Sequence, residues 1–195
     1  MTLISCNNEE LKKQLPKVED VESDIIRETI FTLAPNQPAQ LPIVFVNSTS
    51  EEINKYRLDS IKKNRENIID SLGLEIWLSD QLSIPSKGLL DFYKEYYPDL
   101  NLKNFDGLKT KSIKLQEFKD TNNKTVKLTN SFSDMNVNTI GFVEYSRMIF
   151  NQSMDSAFFI FQYKGSDCTD SETKFVNVCL NNKRWEIIKK NTNTP

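Results

Sequence analysis

Three groups of residues carry the types that could do chemistry. The first is a polar loop in which Asp167, Asp170 and Glu172 alternate with Ser166, Thr169 and Ser171. Alternating oxygen donors on one loop are what a hard cation such as calcium requires. The spacing matches no EF-hand loop, and polar hairpin connections share this composition, so no metal site is assigned. The second is Arg147, set among Tyr145, Met148 and Ile149 three residues after Glu144. A guanidinium in an apolar strand needs a partner when buried. It therefore either makes a structural ion pair or faces a cleft as a binding residue. Glu144 falls on the opposite face of a regular strand and is not the automatic partner. The third group is Cys6, Cys168 and Cys179.

Histidine is absent from all 195 residues. Ser-His-Asp and Cys-His nucleophilic arrangements and His-ligated zinc are thereby excluded within the chain. Paired carboxylates for acid–base work would have to converge from distant positions. No catalytic residue and no cofactor is assigned.

Cys6 closes Leu3-Ile4-Ser5-Cys6, which resembles a bacterial lipobox, the site at which Cys becomes the lipidated first residue. Only Met1 and Thr2 stand before that stretch, so either the start is truncated or the match is fortuitous. Residues 7 to 24 are polar and charged, as a tether between an anchored Cys and a folded domain would be, although a short surface helix has the same composition. With Cys6 as the lipid anchor, Cys168 and Cys179 remain as a candidate disulfide in an oxidising compartment. A bond there would stabilise by on the order of 3 kcal/mol in the chain-entropy picture. Otherwise they are two unrelated thiols, with Cys179 packing as a small apolar residue.

The elements that must position these groups follow from periodicity. Residues 25 to 33 read as strand or helix, and 41 to 46 as a buried strand. Ser48 to Glu52 starts a helix that runs to Leu72 and stops at Gly73. Its apolar positions, Ile53, Tyr56, Ile61, Ile68, Ile69 and Leu72, are sparse, which puts it on the surface. Leu74 to Leu78 packs on the sheet. A shorter helix follows Pro85, with Leu89, Phe92, Tyr93 and Tyr96 on its core side. Ser112 to Phe118 and Thr125 to Leu128 read as a lysine-rich hairpin, its lysines alternating with apolar residues as on a half-exposed sheet.

The last third is the strongest signal. Phe142 to Phe150, the four-residue apolar run Phe158 to Phe161, Phe175 to Leu180 and Trp185 to Ile188 predict an antiparallel meander, with Asn181-Asn182 as a hairpin turn. The expectation is one α+β domain, N-terminal helices packed on a mainly antiparallel sheet with a C-terminal β-meander, over residues 25 to 190. Residues 1 to 24 form the tether and residues 191 to 195 a disordered tail.

Glu144-Tyr145-Ser146-Arg147-Met148-Ile149-Phe150-Asn151, then Ala157-Phe158-Phe159-Ile160, then Trp185-Glu186-Ile187-Ile188, resembles a pattern of bacterial (Bacteroidota-like) envelope lipoproteins with no assigned activity. The likeness spans roughly residues 40 to 190. It departs where Asn182-Lys183-Arg184 stands in place of the Gly usual before the Trp. The resemblance implies architecture and an envelope location, and no activity.

Net charge is −2 with a pI near 5.4, and no apolar run is long enough to span a bilayer. Nucleic acid is therefore not an expected partner, and the membrane is expected only through a lipid anchor. The reading is a non-enzymatic envelope lipoprotein, in the periplasm or at the outer membrane, that binds an envelope protein or small ligand or serves as a structural module. A fortuitous lipobox would make the protein cytoplasmic. The alternatives are a small carboxylate-dependent hydrolase and an immunity-type inhibitor.

Overall fold

A computed structural model describes residues 18–35, 51–88, 90–91, 108–131, 138–165 and 170–193. Helix α1 spans Val18–Leu33 and α2 spans Glu51–Leu72. The strands are β1 (Glu75–Ser79), β2 (Gln81–Leu82), β3 (Lys111–Ser112), β4 (Phe118–Lys119), β5 (Thr125–Thr129), β6 (Thr139–Tyr145), β7 (Ile149–Phe150), β8 (Ser156–Gly165), β9 (Ser171–Asn181) and β10 (Arg184–Asn193). The molecule is mostly sheet, and the α+β expectation holds at that level. The expected strand at 41 to 46, the Ser48 to Ser50 cap, the polar tether up to residue 17, and Leu89, Phe92, Tyr93 and Tyr96 lie outside the described residues.

The main sheet has the order β10-β9-β8-β6-β1-β5-β4, with β7 paired to β8, and β2 and β3 form a separate pair. β8, β9 and β10 make the expected antiparallel meander, and β6 joins it antiparallel to β8. The centre departs from expectation. β1 runs parallel to both of its neighbours, β5 and β6, so the sheet is mixed rather than mainly antiparallel. The near-continuous apolar runs Ile76-Trp77-Leu78 and Ile140 to Val143 suit strands covered on both faces, as parallel strands usually are.

Two expected strands are also shorter or broken. The stretch expected as one strand from Phe142 to Phe150 splits into β6 and β7 at Ser146-Arg147-Met148. There Ser146 bridges Ser83 while its amide still donates to the Ile160 carbonyl of β8 at 2.9 Å, and the Arg147 amide donates to the Ser83 carbonyl at 2.7 Å. In the lysine-rich region β3 pairs with β2, and only Phe118 and Lys119 form the hairpin with β5.

β8 explains the aromatic run. Its register sets Ala157, Phe159, Phe161 and Tyr163 on one face, beside Val178 and Val176 of β9 and Tyr145 and Val143 of β6. Phe158 and Ile160 point the other way and are also buried. Tyr145 fixes the first face, with ring centroids 5.2 Å from Phe159 and 5.3 Å from Phe161.

Apolar residues of helix α1 belong to the same buried cluster as that first face. Val21, Ile25, Ile26, Ile30 and Leu33 recur at helical spacing and join one core cluster with Ile76, Leu78, Val143, Tyr145, Phe159 and Val176. The helix begins at Val18, so residues 18 to 24, expected to belong to the tether, are helical, and Val21 and Glu22 are buried. At the other end β10 continues to Asn193, through most of the segment expected to be a disordered tail.

α1 has no basic residue in its last turn. Lys174 of β9 supplies the missing cation from across the core, donating at 2.7 Å to the Leu33 carbonyl, where a helix terminus favours positive charge. α2 differs sharply. Among its described side chains Ile68 and Ile69 are half-buried and the rest are exposed, so it lies on the surface as its sparse apolar positions predict. Gly73 ends it with φ 76°, and a Cβ there would stand 2.4 Å from the Asn123 carbonyl oxygen, so only glycine fits.

Candidate functional site

The densest polar cluster forms where α1 crosses the end of β6. Glu22 is fully buried on the apolar face of α1, one residue after Val21 and three before Ile25. Its Oε1 accepts from Arg147 Nε at 2.9 Å and from the Met148 amide at 3.1 Å. Its Oε2 accepts from Lys111 Nζ at 2.8 Å. One carboxylate thus ties together α1, the segment after β6, and β3.

The backbone around Arg147 is built to deliver its side chain there. The Ser146 hydroxyl accepts the Ile160 amide at 2.9 Å and donates to the Arg147 carbonyl at 3.0 Å. A further guanidinium nitrogen of Arg147 donates to the Lys109 carbonyl at 2.7 Å. Arg147, in the break between β6 and β7 and not in a strand as expected, therefore makes the structural ion pair that a guanidinium among buried apolar residues requires. Its partner lies 125 positions away on α1, while Glu144 pairs with Lys164 at 2.9 Å.

Both oxygens of Glu22 meet donors fixed by separate elements. A proton shuttle needs a face open to substrate or water, and this carboxylate has none. Its physical role is attachment. Removing either partner of such a pair leaves a buried charge uncompensated, which costs several kcal/mol, whereas the intact pair contributes far less net stability.

A second carboxylate lies on the opposite face of the sheet. Glu75 at the start of β1 accepts from Lys127 Nζ at 2.6 Å and from the Trp77 indole at 3.1 Å. Burial works to raise its carboxyl, yet the bonds from Lys127, Trp77 and Asn138 together outweigh burial and leave it below the ordinary value. The bond to Glu75 in turn raises the Lys127 ammonium, against the opposing pull of its own burial. Glu75 sits beside Thr139 at the start of β6, and Glu22 beyond its end, so the two buried carboxylates do not converge.

Other sequence-derived candidates separate in space. Asp167, Cys168 and Thr169 lie outside the described residues, as does Cys6. Asp170 accepts the Gly165 amide through its carbonyl, and Glu172 pairs with Lys174 at 2.7 Å. No group of three acids or thiols able to hold a metal occurs among the described residues. Cys179 is a half-buried thiol on β9, across from Ser156 and Glu186.

Sequence reasoning missed Glu22, Thr29 and Tyr145 as a set. The Thr29 hydroxyl donates to the Ile25 carbonyl at 2.7 Å and lies 3.2 Å from the Tyr145 hydroxyl inside the core. Burial lifts the Tyr145 phenol far above its ordinary range, and the bond to Thr29 offsets this only in part. The available signal was helical spacing. Glu22 and Thr29 fall in the stripe marked by Val21, Ile25, Ile26, Ile30 and Leu33, where a polar residue must have a partner. Compared with protein-family models, curated proteins and solved structures, the chain matches none.

Proposed function

We propose that the protein is a non-enzymatic, lipid-anchored envelope protein that acts as a binding or structural module. One observation carries this reading. Glu22, the most deeply buried carboxylate among the described residues, has both oxygens occupied by Arg147, Lys111 and the Met148 amide, so this carboxylate holds α1 to the sheet. The same reading takes α1 as a permanent layer of the domain, pinned at its start by Glu22, in its middle by a Glu28 carboxylate bond from the Trp185 amide, and at its end by Lys174. The hydrolase alternative needs two acids on one pocket, and Glu22 and Glu75 lie at opposite ends of β6 and on opposite faces.

Anchoring rests on Leu3-Ile4-Ser5-Cys6, on the polar residues that follow it, and on the resemblance to envelope lipoproteins. The gene is expressed with its own upstream sequence in a bacterial host, and the N-terminal peptide is weighed by mass spectrometry from membrane and soluble fractions. The proposal expects a diacylglyceryl-modified Cys6 in the membrane fraction. An unmodified Cys6 in the soluble cytoplasmic fraction removes the basis for anchoring.

A further inference from the structure

The ladders of β9 fix where Cys179 can be. Its pairing with β8 runs without a break from Lys164↔Ser171 to Ser156↔Cys179, and on its other side Cys179 pairs with Glu186 of β10. Both ends of the β8–β9 hairpin are closed by backbone bonds. At one end the Gly165 amide donates to the Asp170 carbonyl at 2.6 Å, and at the other the Leu180 amide donates to the Asp155 carbonyl at 2.7 Å. Cys179 therefore sits at the end of β9 remote from the connection between Gly165 and Asp170, and that connection carries Cys168.

Covalent geometry bounds the gap between the two thiols. Ser171 and Cys179 stand eight residues apart in one strand, about 26 Å at ~3.3 Å per residue. Three peptide steps separate Cys168 from Ser171, and a chain reaches at most ~3.6 Å per residue, so about 11 Å in all. At least about 15 Å thus remains between the two Cα atoms, where a disulfide needs less than about 7 Å. β9 cannot bend to close that gap, because it is paired on both sides and its Val176 and Val178 are fully buried. An unfolded chain has no such constraint. Loops of about the length from Cys168 to Cys179 close in ~10–100 ns.

We infer that a Cys168–Cys179 bond and the native β8–β9 ladder exclude each other, so that the pair acts as a thiol-dependent folding switch. The reduced chain folds, and the bonded chain is held out of the meander. The spacing that suggests a stabilising disulfide instead gives a bond open only to the unfolded chain, and by mass action such a bond draws the native population down. The oxidant is a low-molecular-weight disulfide such as oxidised glutathione. One protein thiolate attacks it, which forms a mixed disulfide and releases one small thiol. The second protein thiolate then attacks the protein sulfur of that mixed disulfide and displaces the other small thiol. The two protein thiols lose two electrons and two protons, and the small disulfide takes up both as two thiols. The inference rests on the register of β9 and needs no lipid on Cys6, so it stands apart from the proposed function.

The test uses the full chain with Cys6→Ser, so that Cys168 and Cys179 are its only thiols. The chain is treated with oxidised glutathione in concentrated urea. The glutathione-free oxidised species, its Cys168–Cys179 bond mapped by peptide mass spectrometry, is then returned to buffer. The inference expects a cooperative urea transition from the reduced chain, none from the oxidised chain, and its return on adding dithiothreitol. Reduced and oxidised samples share one sequence, so the first is the folding control for the second. Without urea the bond should form at least about a thousandfold more slowly, because folded domains hold unfolded fractions of roughly 10⁻³ or less. A mapped Cys168–Cys179 chain that keeps the reduced chain's transition overturns the inference, as does bond formation in buffer as fast as in urea. Failure of the bond to form in urea, or of dithiothreitol to restore the transition, overturns it as well. So does a reduced chain that shows no transition of its own.

Discussion

Glu22 and Arg147, separated by 125 positions, meet through a 2.9 Å bond at the point where α1 crosses the end of β6. Glu22 is fully buried and the Arg147 side chain is 13 % exposed, so neither can turn to water when the other is lost. Glu22→Gln is therefore expected to lower unfolding free energy by about 3–5 kcal/mol, read from urea denaturation. The double variant Glu22→Leu/Arg147→Met should recover most of that loss, because Lys111, 20 % exposed, can carry its ammonium into solvent. If the double variant is as unstable as the sum of the single ones, the pair is not the link described.

Tyr145 and Thr29 offer a milder test of the same contact layer. Tyr145→Phe removes one buried hydroxyl and leaves Thr29 bonded to the Ile25 carbonyl, so the expected loss is about 1 kcal/mol. Tyr145→Ala also opens a cavity beside Phe159 and Phe161 and should cost about 3–5 kcal/mol. In an ultraviolet alkaline titration the Tyr145 phenol should ionise only when the protein unfolds, and the amplitude of that delayed step should fall by one tyrosine in Tyr145→Phe. A full set of ordinary tyrosine titrations in the folded protein would contradict the burial of this phenol.

The Glu75–Lys127 pair gives a pH dependence with a definite sign. The Glu75 carboxyl is held below its ordinary value of 4.5, so its contribution is present above that value and fades as pH falls through the lower, folded value. The Lys127 ammonium is raised above 10.5, so its contribution is full below that value and fades as pH rises through the folded one. Lys127→Met should therefore lose stability evenly between about pH 5 and pH 10, and the loss should shrink in acid. With the Lys127 side chain 38 % exposed, solvent screens the pair, and the loss should stay below about 1 kcal/mol. A loss unchanged by acid would show that packing, and not charge, accounts for the effect.

Gly73→Ala tests the joint between α2 and β1. Its φ of 76° opposes a side chain, and so does the Asn123 carbonyl oxygen, 2.4 Å from the point where the alanine methyl would sit. The left-handed backbone alone costs about 1–2 kcal/mol, and the backbone clash should carry the total to the upper end of that range or beyond. Measured by thermal melting, a change smaller than that would mean the turn relaxes without strain.

Much of the sheet was legible because burial on both faces leaves a local mark. Phe158 to Phe161 in β8 and the Gly73 stop follow from residue type and spacing alone, while the hairpin turn expected at Asn181-Asn182 falls one residue later, at Asn182-Lys183, both with positive φ. The parallel pairing of β1 was not legible, since nothing within Glu75 to Ser79 names its neighbours. The break at Ser146-Arg147-Met148 was hidden for the same reason, because it depends on Ser83, far away in sequence. The start of α1 was lost to composition. Its charged first turns resemble a tether until Val21, Glu22 and Ile25 are placed on one helical face. The partner of Arg147 then follows from topology, which places α1 over the end of β6.

Native-state hydrogen exchange across α1, compared between the wild-type chain and Glu22→Gln, most directly probes whether this helix belongs to the core through its buried carboxylate. The account predicts that amides from Val21 to Leu33 exchange as slowly as those of β8, and that Glu22→Gln speeds the helix before the meander. Fast, tail-like exchange of α1 in the wild-type chain, unaltered by the substitution, would contradict it.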